Sequence, residues 1–343
     1  MTQHVQNHEH PPQATMLDLL LGMMKTQAIH EAVRLDIASL IKDEPKSITE
    51  LSETTGMNKS ALSRLLHALE SLGIFQEVKP DYFAQTPLSH VLRPNVPGSM
   101  YDVAFIHGEQ WQWRPWEQFS YSIQTGQTAF NSVFEGNLFD YFAKHPEEGE
   151  RFNKAMTGFS RQVDQPITRG YDFSSIHTIV DIGGGYGSLL TAILRAYPHL
   201  QGILFDLPHV IKDAQERIAS SDVAGRCQFI AGDMFNAEDI PGADAYIMKQ
   251  IIKDWSDEES VRILSNCSKA MKSGGKILVA EQVLLPGRQM STAKLIDLQL
   301  MVVLSGQERY EQQYRALFEG AGLQVLKIWP THSTYSIIEG LAK

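Results

Sequence analysis

Cysteine is nearly absent. Cys227 and Cys267 are the only two in 343 residues, too few for a disulfide framework, and no Cys/His cluster has zinc spacing, so no metal centre is expected. Both read as small buried hydrophobes. Long apolar runs are missing too: none reaches the roughly 18 residues of a membrane span. The opening stretch, MTQHVQNHEHPPQAT, lacks the apolar centre of a signal peptide. The expectation is a cytoplasmic protein with no membrane partner. Positive charge is also short. Thirty basic against forty acidic residues leave a net charge of −10, which opposes nucleic-acid binding, because its non-specific part needs a basic face. No internal repeat is found, and low complexity is confined to residues 1–15. The three histidines there, His4, His8 and His10, read as part of a disordered arm.

What remains is the composition of a folded globular chain, 43% hydrophobic and 20% charged, long enough for two domains. Residues 16–43 carry apolar side chains at helical spacing, among them Ala28, Val33, Ile37 and Ile41. Ser47 or Thr49 can cap a following short helix. A turn at Gly56, a second helix and the β-like YFAQT complete a winged helix-turn-helix over residues 16–100. Such units often read DNA, but Lys59, Arg64 and His67 are a thin basic set, and dimerisation is the alternative role. Residues 101–172 read as a helical linker and substrate region rich in aromatics, including Trp111, Trp113, Trp116 and Phe142. These are either core or the apolar walls of a pocket for a planar ligand, and Trp111 is a candidate for the latter.

From residue 173 the texture becomes short apolar strands alternating with helices, as in a parallel, doubly wound α/β sheet. Residues 323–343 read as an edge hairpin. Within this region IVDIGGGYGSLL is the most specific local signal. A strand over Thr178–Ile182 runs into Gly183, Gly184, Gly185 and Gly187, which allow a sharp turn and close approach of a ligand. Asp206 ends the next strand, where a carboxylate accepts both hydroxyls of a ribose, with Leu207 beside it. Asp233 in GDMF suits an adenine amino group and Met234 the ring face. Asp181, just before the glycines, suits an ammonium group. A dinucleotide site needs amides facing a pyrophosphate; these acids suit a cationic ligand without phosphates.

With these motifs the chain resembles the small-molecule O-methyltransferases of the caffeate and acetylserotonin type. The resemblance spans the whole length through RFNKAM, VDIGGGYG, FDLPHVI, GDMF, MKQIIKDWSDEE, GGKILVAE and SGQERYEQQY. It implies a Rossmann-like methyltransferase sheet over 173–343, S-adenosylmethionine as cofactor, and a homodimer built by the N-terminal winged-helix region. It implies that Gly183, Asp206, Asp233, Met234 and Lys249 surround the cofactor and that Met156 and Ser160 line the acceptor pocket. It also implies that the residue at 253, flanked by Glu281 and Glu308, does the proton chemistry.

At that point the resembling enzymes carry a histidine, and this chain carries Lys253. Freeing a lysine amine at pH 7 costs about 4.6 kcal/mol, from a pKa of about 10.4. Neighbouring carboxylates raise that cost. Lys253 is therefore expected to stay an ammonium, poor as a general base and good as an oxyanion partner. Three readings follow. The enzyme methylates a readily ionised phenol or enol of a small aromatic or polyketide-like metabolite. Or it binds S-adenosylmethionine yet catalyses a non-methylating reaction, as a decarboxylase, dehydratase, hydroxylase or pericyclase. Or another group, with His107 in FIHGEQW the candidate, is the base.

Overall fold

The computed structural model describes residues 11–287 and 291–342; within them, the side chains of 159–161 are outside the description. Two compact units emerge, one from residues up to 113 with 150–158, the other from 114–149 with 159–343.

In the first unit a helix begins at Pro12, inside the stretch read from sequence as an arm, because proline's fixed φ suits a first helical turn. Two strands, β2 (Phe75–Lys79) and β3 (Tyr82–Gln85), and the short β1 (Lys46–Ser47) form the wing, in the order β1-β3-β2. Ser47, not Thr49, caps the helix Ile48–Thr55, and Glu50 returns the bond in a capping box. Gly56 ends that helix with φ +71°, a conformation that favours glycine. Helix Lys59–Ser71 then presents Leu62, Leu66 and Leu69 on one face. These pack with Val33, Ile37, Ile48 and Phe83, and burial of each large aliphatic contributes about 1.5–3 kcal/mol.

The second unit is built on β4 (Thr178–Ile182), β5 (Gln201–Asp206), β6 (Cys227–Ala231), β7 (Ala243–Lys249), β8 (Met271–Leu284), β9 (Arg309–Tyr310), β10 (Leu323–Pro330) and β11 (Tyr335–Ala342). The sheet order is β10-β11-β8-β7-β4-β5-β6, with β9 paired beside β8. From β6 through β8 the strands are parallel. The terminal hairpin is antiparallel and β10 lies at the edge. Alternate residues bury on opposite faces: Ile179, Leu204, Ile247 and Leu278 in one core, Val180, Phe205, Tyr246 and Val279 in the other. This doubly covered sheet is why its strands read as continuous apolar runs. The chain leaves β4 toward β5 on one side and returns to β7 on the other, so the carboxyl ends of β4 and β7 flank the switch point where open α/β sheets bind ligands. The glycine loop follows β4, and Lys253 follows β7.

Candidate active site

Gly183, Gly185 and Gly187 all have φ between +56° and +75°, a region that costs other residues strain. At Gly183 a Cβ would also lie 2.6 Å from Ile251 Cδ1, and at Gly184 one would lie 2.7 Å from Asp181 Cγ. At Gly185 a Cβ would meet nothing within 4 Å, so that turn borders open space. Asp206 ties the loop down. Its Oδ2 accepts from the Gly185 N–H at 2.8 Å and its Oδ1 from the Leu207 N–H at 2.7 Å. Each carboxylate oxygen keeps a further lone pair for a ligand hydroxyl. Burial lifts the Asp206 carboxyl above its ordinary pKa against those two N–H groups.

Asp181 is buried, and its Oδ2 has no hydrogen-bond partner among the described residues. Burial pushes its pKa up to about 7, opposed by the charge of Lys249. Lys249 itself is paired with Asp164, both side chains nearly covered. The Lys249 ammonium is thus engaged by a carboxylate that sequence reasoning missed, since nothing local in RQVDQPITRG marks Asp164. Asp233 is exposed, with Oδ1 accepting from the Phe235 N–H at 2.9 Å. Met234 packs partly into the second sheet core. Asp181 and Asp206, together with open space at Gly185, form an anionic cradle that fits the ammonium and ribose of S-adenosylmethionine.

Beyond β7 the chain turns through Gln250, whose φ of +60° is a strained conformation for a non-glycine residue. Its amide donates to the Tyr335 hydroxyl. A short 3-10 turn, Ile252–Asp254, then presents Lys253. Lys253 Nζ donates to Asp254 Oδ1 at 2.8 Å. Its backbone N–H faces Glu281 Oε1 at 3.4 Å, and its carbonyl accepts from the Gln307 N–H at 2.8 Å. Arg309, fully buried, clamps this acidic turn by donating to Asp257 Oδ1 and to the carbonyls of Ile252 and Trp255. Burial works against the Lys253 charge, but Asp254, Glu281 and Glu308 outweigh it and hold the pKa above the usual lysine value.

Glu281 and Glu308 come together with Lys253 as the resemblance implies. Both are buried, at 0% and 3% exposure. Burial, then its neighbour Glu308, raises the Glu281 carboxyl well above the ordinary range. Burial pushes Glu308 up to about 7, against the pull of Lys253.

Of the residues expected near the acceptor, Trp111, His107 and Met156 all lie in the first unit. Trp111 is buried at 1% exposure, edge-on to Phe152, a core position, which was the other reading of the aromatic set. His107 is exposed, and its Nδ1 turns back to the Val103 carbonyl of its own helix at 2.8 Å. Met156 is half-buried in the same unit as both. The side chain of Ser160 lies outside the described residues.

The O-methyltransferase domain profile matches residues 116–324, and the O-methyltransferase dimerisation domain profile matches residues 17–95. The chain belongs to the O-methyltransferase family. It is 41% identical to a phenazine O-methyltransferase of Lysobacter antibioticus over 96% of both chains. It is 38% identical to a mitomycin biosynthesis 6-O-methyltransferase of Streptomyces lavendulae, over 92% of this chain and 90% of that one. A solved structure of CalO1, a methyltransferase in calicheamicin biosynthesis in its S-adenosylhomocysteine-bound form, superposes with a TM-score of 0.84 at 29% identity, covering 98% of this chain and all of that one. This O-methyltransferase uses S-adenosylmethionine to methylate oxygen on small secondary metabolites, and its protein partner is a second copy of itself. Among the described residues no helix is long and apolar enough to cross a membrane.

Proposed function

We propose that this O-methyltransferase acts on an acidic aromatic hydroxyl, such as a phenol made acidic by a ring nitrogen or a quinone, and that Lys253 holds the acceptor oxygen as an anion. The observation carrying this reading is the Lys253–Asp254 contact at 2.8 Å inside a group of three carboxylates. A lysine so placed keeps its proton, and a charged donor at a developing oxyanion stabilises it in a water-poor site. The two relatives above, named for phenazine and mitomycin chemistry, support a planar, electron-poor acceptor for this chain.

S-adenosylmethionine, when bound, supplies an electrophilic methyl group. The residues we assign to holding it are Asp206 for the ribose hydroxyls, Asp181 for the ammonium, Asp233 and Met234 for the adenine, and Gly183 and Gly185 for close backbone approach. Lys249, paired with the nearly covered Asp164, is the cation we place beside that cradle. Lys253 orients the acceptor, and alignment supplies much of the rate in such a displacement. The cytoplasm, which supplies S-adenosylmethionine to biosynthesis, is the compartment we infer.

The test is a panel of hydroxyphenazines, nitrophenols and alkylphenols with labelled S-adenosylmethionine. The expected outcome is methylated product, with kcat/KM rising as the acceptor pKa falls toward neutrality. Equal rates across the panel would contradict the role given to Lys253. Tight cofactor binding with no S-adenosylhomocysteine formed from any acceptor would favour the non-methylating reading.

A further inference from the structure

Asp164 brings a buried charge to the cradle from outside the sheet. It stands on the helix Pro146–Gly170, and its Oδ1 accepts from Lys249 Nζ. That helix packs on one face of the sheet, where Ile167 is buried with Ile179 of β4 and Ile247 of β7. Asp181 and Lys249 each follow those isoleucines by two residues, so their side chains leave the sheet on that same face. Asp181 is level with Ile247 on the neighbouring strand, which brings it within the span of the Lys249 side chain. Lys249 therefore has two buried carboxylates within its reach. It is paired with Asp164 and acts on Asp181 through space. Asp181 Oδ2 is covered and has no hydrogen-bond donor among the described residues. It lies against the glycine loop, where a Cβ at Gly184 would come within 2.7 Å of it. The groups acting on Asp181 are Lys249 of β7, Asp164 of the helix, Asp206 of β5 and the Leu190 N–H. Cys227 of β6 feels its charge in turn.

We propose, resting on the assignment of Asp181 to the cofactor ammonium, that Asp164 is a positioning residue for cofactor binding: it holds Lys249 away from Asp181 and so keeps Asp181 Oδ2 open to the ammonium of S-adenosylmethionine. A buried ion stripped of its partner is costly, and it takes another partner where one is in reach. With Asp164 neutral, the carboxylate in reach of Lys249 is Asp181. A Lys249–Asp181 pair would consume the anion that the cofactor needs. With Asp164 ionised, Lys249 is satisfied where it stands. Two ionised carboxylates and one lysine then leave a single negative charge, which one incoming ammonium neutralises. The contact that sets this balance lies on the covered face of the sheet, so Asp164 acts through Lys249 and Asp181 and not by touching the reacting atoms.

The experiment compares wild type, Asp164→Asn, Asp164→Glu and Asp181→Asn as full chains. One arm is isothermal titration with S-adenosylhomocysteine, which carries the same ammonium, across neutral pH. The other is an NMR titration of the aspartate carboxyls in cofactor-free protein, with Asp181 assigned by its loss in Asp181→Asn. At pH 8, Asp164→Asn is expected to bind on the order of 10-fold more weakly, about the loss of one charge-assisted hydrogen bond. Wild-type affinity is expected to fall as pH drops through about 7, where burial leaves Asp181 protonated. In Asp164→Asn that fall moves to lower pH, because an Asp181 paired with Lys249 stays ionised. Asp164→Glu keeps the charge and should recover most of the affinity and the wild-type pH profile. An Asp164→Asn protein that binds within twofold of wild type at pH 8 would overturn the proposal. So would weaker binding with Asp181 titrating as in wild type, the mark of a structural role alone. A wild-type Asp181 that titrates below about pH 4, the ordinary value, would overturn it too, a measurement that stands even if the variants do not fold. Undiminished binding by Asp181→Asn would fell the ammonium assignment and the proposal with it, whereas a weakened Asp181→Asn beside an unchanged Asp164→Asn would fell the proposal alone.

Discussion

Lys253 has the chemistry of its neighbours more than of its own type. Three carboxylates outweigh the burial that would otherwise drive off its proton, so removing the charge should matter more than removing the side-chain bulk. Lys253→Met is expected to lower kcat on acidic phenols on the order of 100-fold, the usual cost of one oxyanion donor, with KM for S-adenosylmethionine nearly unchanged. Lys253→His should shift preference toward weakly acidic phenols, because an imidazole near pKa 6.5 can take their proton. Steady-state kinetics across the acceptor panel reads both. Asp181 carries a second residue-scale consequence. Its folded-state pKa of about 7 lies above the unfolded value of about 3.9. The folded protein therefore binds the extra proton, and this contribution to stability is full below about pH 4 and lost as pH rises through about 7. Cofactor-free Asp181→Asn is expected to be more stable than wild type at pH 8, by at most a few kcal/mol, with the advantage vanishing near pH 4. Denaturant melts at the two pH values check this. The identities of Lys253, Glu281 and Glu308 were legible from motif resemblance. The Asp164–Lys249 pair was not, because a helix residue 85 positions away leaves no local trace of its partner.

Elements set where these residues stand. The strand Thr178–Ile182 was read with the bounds that β4 has, because an apolar run ending in glycines has few other interpretations. The strand β8, by contrast, starts at Met271, before the GGKILVAE run that marked it, since pairing with β7 extends it through residues without β propensity. The positive φ of Gln250 was equally invisible, as no glycine or asparagine announces it. Gly306 shows how tightly one loop must approach another. Gly306→Ala would place a methyl group on the Lys253 carbonyl, backbone that cannot swing away, so Glu308 and Lys253 must separate. A stability loss of about 1–3 kcal/mol is expected, together with a fall in kcat larger than any change in cofactor affinity. Thermal melts and isothermal titration with S-adenosylhomocysteine distinguish the two effects.

At the scale of the molecule, the chain pairs with itself through its dimerisation domain. The N-terminal helices leave Leu19 and Leu20 exposed at 67% and 71%, alongside Met16, Leu17 and Met24. Apolar area of that kind marks an association surface. The double variant Leu17→Glu, Leu20→Glu is expected to shift the homodimer toward monomer by light scattering, and an unchanged mass would place the interface elsewhere. A parallel, doubly wound sheet with a hairpin at its edge followed from the alternation of strands and helices; the strand order that parts β4 from β7 did not. The division of residues 101–172 between two compact units did not, because a helical, aromatic-rich segment reads the same in either unit.

The account turns on the charge of one side chain. The most direct measurement is an NMR titration of the Lys253 ammonium in lysine-labelled protein, assigned by difference from Lys253→Met. The expected result is a side chain still protonated at about pH 11, where an ordinary lysine with a midpoint of about 10.4 has mostly lost its proton. A midpoint near pH 7 would contradict it and make Lys253 itself the base.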